Sequence, residues 1–268
     1  MIDYGLKDKV VIITGMNNPQ GIGATTAIAF AKQGAKIAMM YKKMSSPYDE
    51  SLTALDGWDR YNEARSGDSN IVEAEIAKLT SDYFIIEGDV GNEADVKSFI
   101  EQTKTTFGEM HILVNNAAAH SDQDTIFDIS KEEMDEVYDT NIKGTLMMTR
   151  EFVKHCKSYG RVINISTDAA QTFATQISYG SSKAAIEALT RAIAIEVGHL
   201  GITVNCVAPG PTQTGWIDET LAERVLPEIP LRRLGLPQDI ADAILFLSSD
   251  KAGWLTGQVI KVSGGHEI

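Results

Sequence analysis

The stretch KVVIITGMNNPQGIGATTAIAFAKQGAKIAMMY, residues 9–41, decides the architecture. It opens with an apolar, β-branched run at 9–14 and passes through glycines at positions 15, 21 and 23. A segment then places Ala27, Phe30 and Ala31 at helical spacing, and a second apolar run follows at 36–41. Both runs are continuously hydrophobic and not alternating, as strands covered on both faces must be. A strand, a glycine turn, a helix and a second strand make the opening of a parallel sheet between helix layers.

Five further runs repeat the pattern: YFIIEG at 83–88, HILVNN at 111–116, GRVINIS at 160–166, ITVNCVAP at 202–209 and QVIKVS at 258–263. The segments between them carry helix signals. Ser130 and Glu133 stand at capping-box spacing before a helix expected to run to about His155, and Pro237 precedes one reaching about Ser248. The expected fold is α/β, a single Rossmann-like domain over 1–268 with a doubly wound, seven-stranded parallel sheet and helices on both faces. Residues 43–69 break the rhythm with Ser, Asp and Gly clusters and no helical stripe, so they read as an irregular insertion. Tyr48, Trp58 and Tyr61 favour an ordered flap over a solvated loop.

Composition narrows the function. The 268 residues hold 24 Lys+Arg against 37 Asp+Glu, a net charge of −13, with 43% hydrophobic residues. Such acidity, without a basic stripe, argues against nucleic-acid binding. Neither a signal peptide nor an apolar run long enough for a membrane span is present, so a soluble, cytoplasmic, unprocessed protein is expected. Cys156 and Cys206 lack CxxC spacing; neither a disulfide framework nor a metal site is expected.

Glycines at a strand-to-helix turn let a backbone approach a pyrophosphate, whose charge then sits at the helix N-terminus. Other motifs follow in order: Asp89-Val90, Asn115-Asn116-Ala117, Asn141, a serine ending the fifth strand, Tyr179-x-x-x-Lys183 and Pro209-Gly210. Together they make the chain resemble the short-chain dehydrogenase/reductase family over almost its whole length, in its ketoacyl-reductase-like or glucose-dehydrogenase-like branch. The resemblance implies that the turn from Gly15 through Asn17 and Gly21 to Ile22 holds the pyrophosphate. It also implies that Asp89 and Val90 meet the adenine, that Asn116 and Ala117 flank the adenosine side, and that Thr212, after Pro209-Gly210, lies near the nicotinamide carboxamide.

The end of the second strand bears on the choice of nucleotide, because a carboxylate there accepts bonds from the ribose 2′-hydroxyl and a cation accommodates a 2′-phosphate. Tyr41 occupies that position, Lys42 and Lys43 follow, and the next carboxylate downstream is Asp49. NADP(H) is therefore expected in preference to NAD(H), with Tyr41 and Lys42 in its site; two loop lysines in solvent are the plain alternative.

Of the eight tyrosines, Tyr179 alone has a lysine four residues later, which puts both side chains on one helix face. A nearby ammonium favours the phenolate and moves the phenol towards working pH. The expected reaction is hydride transfer between the nucleotide and a carbonyl carbon, with Tyr179 as general acid/base. By resemblance, Lys183 also bonds the nicotinamide ribose and Asn141 holds a water that feeds protons to Lys183; a backbone-bonding Asn at a helix kink is the competing reading of Asn141. The hydroxyl that polarises the carbonyl is open between two residues. The separation usual in the family that the chain resembles, thirteen residues back from Tyr179, selects Ser166, the preferred choice, and aligning the strand selects Thr167.

The chain also departs from the family pattern. Five residues separate Gly15 from Gly21, two more than usual, and Ala118 stands where many relatives have Gly. Enoyl-thioester reductases of the same superfamily also stretch the glycine loop but use a wider Tyr-to-Lys separation, so the resemblance implies ketone chemistry in preference to enoyl reduction. Residues 211–234 correspond to the family's mobile substrate lid, with a fixed connection as the alternative. A 3-oxoacyl-thioester reductase or a sugar or polyol dehydrogenase fits these motifs, and a non-enzymatic NADP(H) sensor or scaffold is the reading from another class. The resemblance further implies a homotetramer or homodimer acting on a small carbonyl or alcohol substrate.

Overall fold

The computed structural model describes residues 3–121 and 124–268. Strands β1 (Val10–Thr14), β2 (Lys36–Tyr41), β3 (Tyr83–Glu87), β4 (Ile112–Asn115), β5 (Gly160–Ile165), β6 (Ile202–Pro209) and β7 (Val259–Val262) form one parallel sheet. Their order is β3-β2-β1-β4-β5-β6-β7. Each expected strand is present to within one residue at either end. The inner strands β1, β4, β5 and β6 are buried throughout, whereas the edge strands β3 and β7 are only half-buried, because each lacks a neighbour on one side.

The helices are α1 (Ile22–Lys32), α2 (Trp58–Ser66), α3 (Asn70–Ala77), α4 (Glu93–Phe107), α5 (Lys131–Tyr138), α6 (Thr145–His155), α7 (Ile177–Val197), α8 (Glu219–Val225) and α9 (Pro237–Ser248). Strand pleating sends successive residues to opposite faces. Val11, Ile13, Ile37 and Met39 accordingly pack under α1, α3 and α9 through Phe30, Ile76 and Ile244. Ile12, Ala38, Met40 and Leu113 pack under α4, α6 and α7 through Phe99, Phe152 and Ala194. Phe30, Phe99 and Phe152 are fully buried, and truncating any one to Ala costs about 3–5 kcal/mol.

From β1 the chain winds outward to β3, then returns across β1 to start β4 and winds the other way. At this reversal the carboxyl ends of β1 and β4 part and leave a crevice, the place where open α/β sheets bind ligands.

Two expectations are corrected. The helix beginning at Ser130 does form with its capping box: Ser130 Oγ accepts from Glu133 N at 3.2 Å, and Ser130 N donates to Glu133 Oε2 at 3.0 Å. It does not run unbroken to His155, however, because a π-helical turn over Asp139–Gly144 separates α5 from α6. There Gly144 lies so close to Val90 that a Cβ would stand 2.7 Å from Val90 Cγ2.

Residues 43–69 are not irregular throughout, since they contain the nine-residue helix α2. Its two buried residues are Asn62 and Arg65, so the packed face is polar. Asn62 Nδ2 donates to Pro47 O at 3.1 Å, and Asn17 of the glycine turn donates to Arg65 O at 2.8 Å and Gly67 O at 3.0 Å. Gly57 N donates to Gly215 O at 2.8 Å, and the Trp58 ring centre lies 5.6 Å from that of Trp216. The insertion thus bridges the glycine turn and the segment after β6.

Candidate active site

A cavity of about 970 Å³ opens at the carboxyl ends of the strands. Gly15, Asn17, Gly21, Ile22, Tyr41, Lys42, Asp89, Val90, Asn116, Ala117, Ser166, Tyr179, Lys183, Pro209, Gly210 and Thr212 all line it. Of the expected site residues, Asn141 stands behind this wall.

The turn after β1 has the shape a pyrophosphate needs. Gly15 has φ of +73°, and a Cβ on it would lie 2.6 Å from Ala117 Cα. A Cβ on Gly23 would meet Gly15 O at 2.3 Å, so α1 packs directly against the turn. Among the described residues no side chain caps the start of α1 at Gly21, and Gly21, Ile22 and Gly23 line the cavity. Asn116 fixes the turn from β4, donating through Nδ2 to Thr14 O at 3.0 Å and Gly15 O at 2.6 Å. These residues fit a dinucleotide.

Beside β2 the expected charge pattern is altered. Lys42 Nζ lies 2.7 Å from Asp89 Oδ2 and Lys43 Nζ lies 3.3 Å from Glu87 Oε2. Glu87 ends β3, which pairs with β2, and Asp89 follows two residues later, so carboxylates other than the downstream Asp49 stand beside both lysines. Thr212 holds the segment after β6 by donating to Gly210 O at 2.9 Å, while its own carbonyl accepts from Trp216 Nε1 at 3.1 Å.

Tyr179 and Lys183 lie one turn apart near the start of α7, with the Lys183 ammonium 5.5 Å from the centre of the Tyr179 ring. The first amides of α7 are held by Asp124, whose carboxylate accepts from Ser178 N at 2.6 Å and Tyr179 N at 2.9 Å. Lys183 Nζ donates to Ile165 O at 2.8 Å, and burial lowers its pKa to about 8. Burial also pushes the Tyr179 phenol well above its ordinary value, Tyr61 and Asp168 push it the same way, and the Arg65 guanidinium opposes them. Lys183 is not among the groups lowering Tyr179 in this arrangement, contrary to the sequence-based expectation.

Asn141, in the π-helical turn, accepts from Ala119 N at 2.8 Å and donates to Ala119 O at 3.0 Å and Ser182 Oγ at 2.9 Å. Ser182 Oγ in turn donates to Tyr179 O at 2.6 Å. Both amide protons of Asn141 are therefore committed to holding Ala119 and α7.

Ser166 is buried, and its hydroxyl lies 3.1 Å from Glu187 Oε1 and 3.3 Å from Lys183 O. Glu187 sits two turns beyond Tyr179 on α7, so this hydroxyl is held against the helix and not free for a substrate. Thr167 follows it into the cavity wall; its Oγ1 accepts weakly from Ala169 N at 3.4 Å and donates to no group among the described residues.

Four features of the wall escape a reading of motifs. Asp124 caps α7 across 54 residues of sequence. Asp168 Oδ2 lies 2.7 Å from His266 Nδ1, reached by the chain's last segment. His120, whose pKa burial lowers to about 4 with Arg65 adding to the shift, stands 2.7 Å from Arg65 Nη1. Arg65 itself comes from the insertion.

A family model described as enoyl-(acyl carrier protein) reductase matches residues 60–267. The chain is 35% identical to the (2S)-[(R)-hydroxy(phenyl)methyl]succinyl-CoA dehydrogenase subunit BbsD of Thauera aromatica, over 98% of both chains. It is 33% identical to the chloroplastic NADPH-dependent aldehyde reductase 2 of Arabidopsis thaliana, over 97% of this chain and 94% of that one. In structure it is similar to a short-chain dehydrogenase/reductase from Serratia marcescens, with a TM-score of 0.84 and 24% identity over 98% of this chain and 99% of that chain. Among the described residues no helix is long and apolar enough to cross a membrane.

Proposed function

Because the chain belongs to the short-chain dehydrogenase/reductase family, oxidoreductases that act on carbonyl and alcohol groups with nicotinamide nucleotides, we propose that it interconverts a ketone and a secondary alcohol with Tyr179 as general acid/base. The observation that carries this reading is the placement of Tyr179 and Lys183, one turn apart on α7, in the wall of the cavity that the glycine turn also lines. The bound nucleotide supplies or accepts the hydride.

The residues of the chain do the rest. The uncapped first turn of α1 and the backbone at Gly15 hold the pyrophosphate, and Asn116 keeps that turn in shape. Tyr179, protonated in its buried setting, donates its proton to the carbonyl oxygen in the reductive direction. The Lys183 ammonium, 5.5 Å from the centre of the Tyr179 ring, would bond the nicotinamide ribose and keep the nucleotide beside the phenol. Thr167, whose hydroxyl proton is uncommitted among the described residues, takes the polarising role that the family's usual separation from Tyr179 implies for Ser166. Asn141 positions α7 through Ser182.

NADP(H) is the proposed nucleotide. Lys42 and Lys43 supply the cations, and a 2′-phosphate would compete with Asp89 and Glu87 for them. The NADPH-dependent relative from Arabidopsis thaliana supports this choice. A homotetramer or homodimer in the cytoplasm is proposed with it, and light scattering tests the assembly.

The description of the matching family model favours a second reading, reduction of an enoyl thioester. One panel separates the readings: NADPH and NADH oxidation with ketones, sugars, β-ketoacyl thioesters and enoyl thioesters. Turnover with ketones or ketoacyl thioesters is expected. Turnover with enoyl thioesters alone would move the function there, and nucleotide binding with no turnover would leave a sensor.

A further inference from the structure

The wall around Tyr179 carries a cation that the ketone–alcohol reaction does not use. Arg65 is only 8% exposed and lines the cavity, yet among the described residues no carboxylate lies within ion-pair distance of its guanidinium. Among the described residues Nη2 donates to Ala118 O at 2.9 Å, Nη1 lies 2.7 Å from His120 Nε2, and the group stands over the Tyr61 ring at 5.0 Å. His120 remains neutral above pH values near its lowered pKa of about 4. Among the described residues the carboxylates that line the cavity are engaged elsewhere, Asp59 by Asp49 N, Asp89 by Lys42, Asp124 by two α7 amides and Asp168 by His266.

A guanidinium taken out of water is ordinarily matched by an anion, since an uncompensated buried charge is costly. This one is also held rigidly, by three contacts on a helix that is tied to the glycine turn through Asn17. Its fork geometry suits two carboxylate oxygens. We propose that Arg65, with His120 beside it, is the anchor for a carboxylate on the substrate, so that the protein acts on keto acids or hydroxy acids in preference to neutral ketones and alcohols. The insertion 43–69 is then a specificity element that carries the anchor to the reacting end of the cavity. Trp58, Tyr61 and Trp216 line the same wall and suit an apolar, ring-bearing remainder.

The inference rests on the ketone–alcohol reading, but its test does not need turnover. Binding of 3-phenylpropanoate and of the neutral 3-phenylpropanamide is measured by calorimetry on the protein saturated with oxidised nucleotide. In parallel, KM is compared for 4-oxo-4-phenylbutanoate and its methyl ester. The wild-type protein is expected to favour the carboxylate at least tenfold in binding, and in KM where turnover occurs. Arg65→Met should abolish the ratio, and Arg65→Lys should retain part of it. Equal binding of acid and amide by the wild-type protein overturns the proposal, even if Arg65→Met fails to fold. The nucleotide Kd of Arg65→Met separates the other source of anionic oxygen. If that Kd rises tenfold while the acid-to-amide ratio persists, Arg65 serves the pyrophosphate and the substrate anchor is refuted. If no ketone is turned over but the ratio holds, the anion site stands and the ketone reading falls alone.

Discussion

The ammonium of Lys183 donates a 2.8 Å hydrogen bond to the carbonyl oxygen of Ile165, the last residue of β5. That bond ties the catalytic helix to the sheet and keeps the lysine within a turn of Tyr179. Burial lowers its pKa to about 8, so the cation is present below that pH and is lost above it. The reaction proposed needs the cation, whereas the phenol, pushed upward, stays protonated through this range. The reductive kcat/KM for the nucleotide should therefore be level up to about pH 8 and then fall towards tenfold per pH unit. Lys183→Arg, always charged, should remove the falling limb. A wild-type profile that stays level to pH 10 would contradict the role given to Lys183.

The positions of Ser166 and Thr167 make opposite predictions. Thr167→Val should lower kcat by about 10²-fold or more, as loss of an oxyanion-type donor does, and leave thermal stability nearly unchanged. Ser166→Ala should act on stability, because it leaves the buried Glu187 carboxylate without its partner at a cost of about 1–3 kcal/mol. Steady-state kinetics and a melting curve on each variant suffice. A large kcat loss confined to Ser166→Ala would return the role to Ser166.

Much of this molecule could be read before its structure was seen, for reasons visible in particular residues. The strands announce themselves because β1, β4, β5 and β6 are buried on both faces and are therefore mostly apolar, with the few polar members such as Asn115 and Asn164 bonded to each other. Helix α2 is hidden because its packed positions are Asn62 and Arg65, which satisfy backbone and side-chain partners and leave no apolar stripe. The lysines after β2 look unopposed because Glu87 and Asp89 reach them across the sheet from 44 and 47 residues away. Residue spacing cannot report such a pairing. The same holds for Asp168 and His266, joined across 98 residues.

The carboxylates beside Lys42 and Lys43 make the nucleotide preference a matter of competition. A 2′-phosphate with nearly two charges should displace Asp89 and Glu87, while a 2′-hydroxyl should not. Replacing both lysines by alanine is expected to raise KM for NADPH at least tenfold and to change KM for NADH less than threefold. Wild-type turnover with NADH equal to or better than with NADPH, at matched concentrations, would defeat the assignment.

Asn141 makes three hydrogen bonds that join the π-helical turn to Ala119 and α7. Asn141→Ala strands a buried backbone amide and carbonyl, so a loss of about 2–5 kcal/mol is expected, lowering Tm by roughly 5–15 °C. If the side chain only positions α7, the pH profile of the surviving activity keeps its shape. A full-strength Tm together with a collapsed kcat and an altered profile would instead identify a proton relay.

The most direct test is a stopped-flow measurement on Tyr179→Phe, which removes the phenolic oxygen and keeps the ring. Mixed with nucleotide and then with the best carbonyl substrate, the variant is expected to bind NADPH with a Kd within about twofold of the wild-type value. It should oxidise the nucleotide at least 10²- to 10⁴-fold more slowly, the usual worth of a positioned acid. NADPH oxidation at the wild-type rate would contradict the claim that this phenol moves the proton.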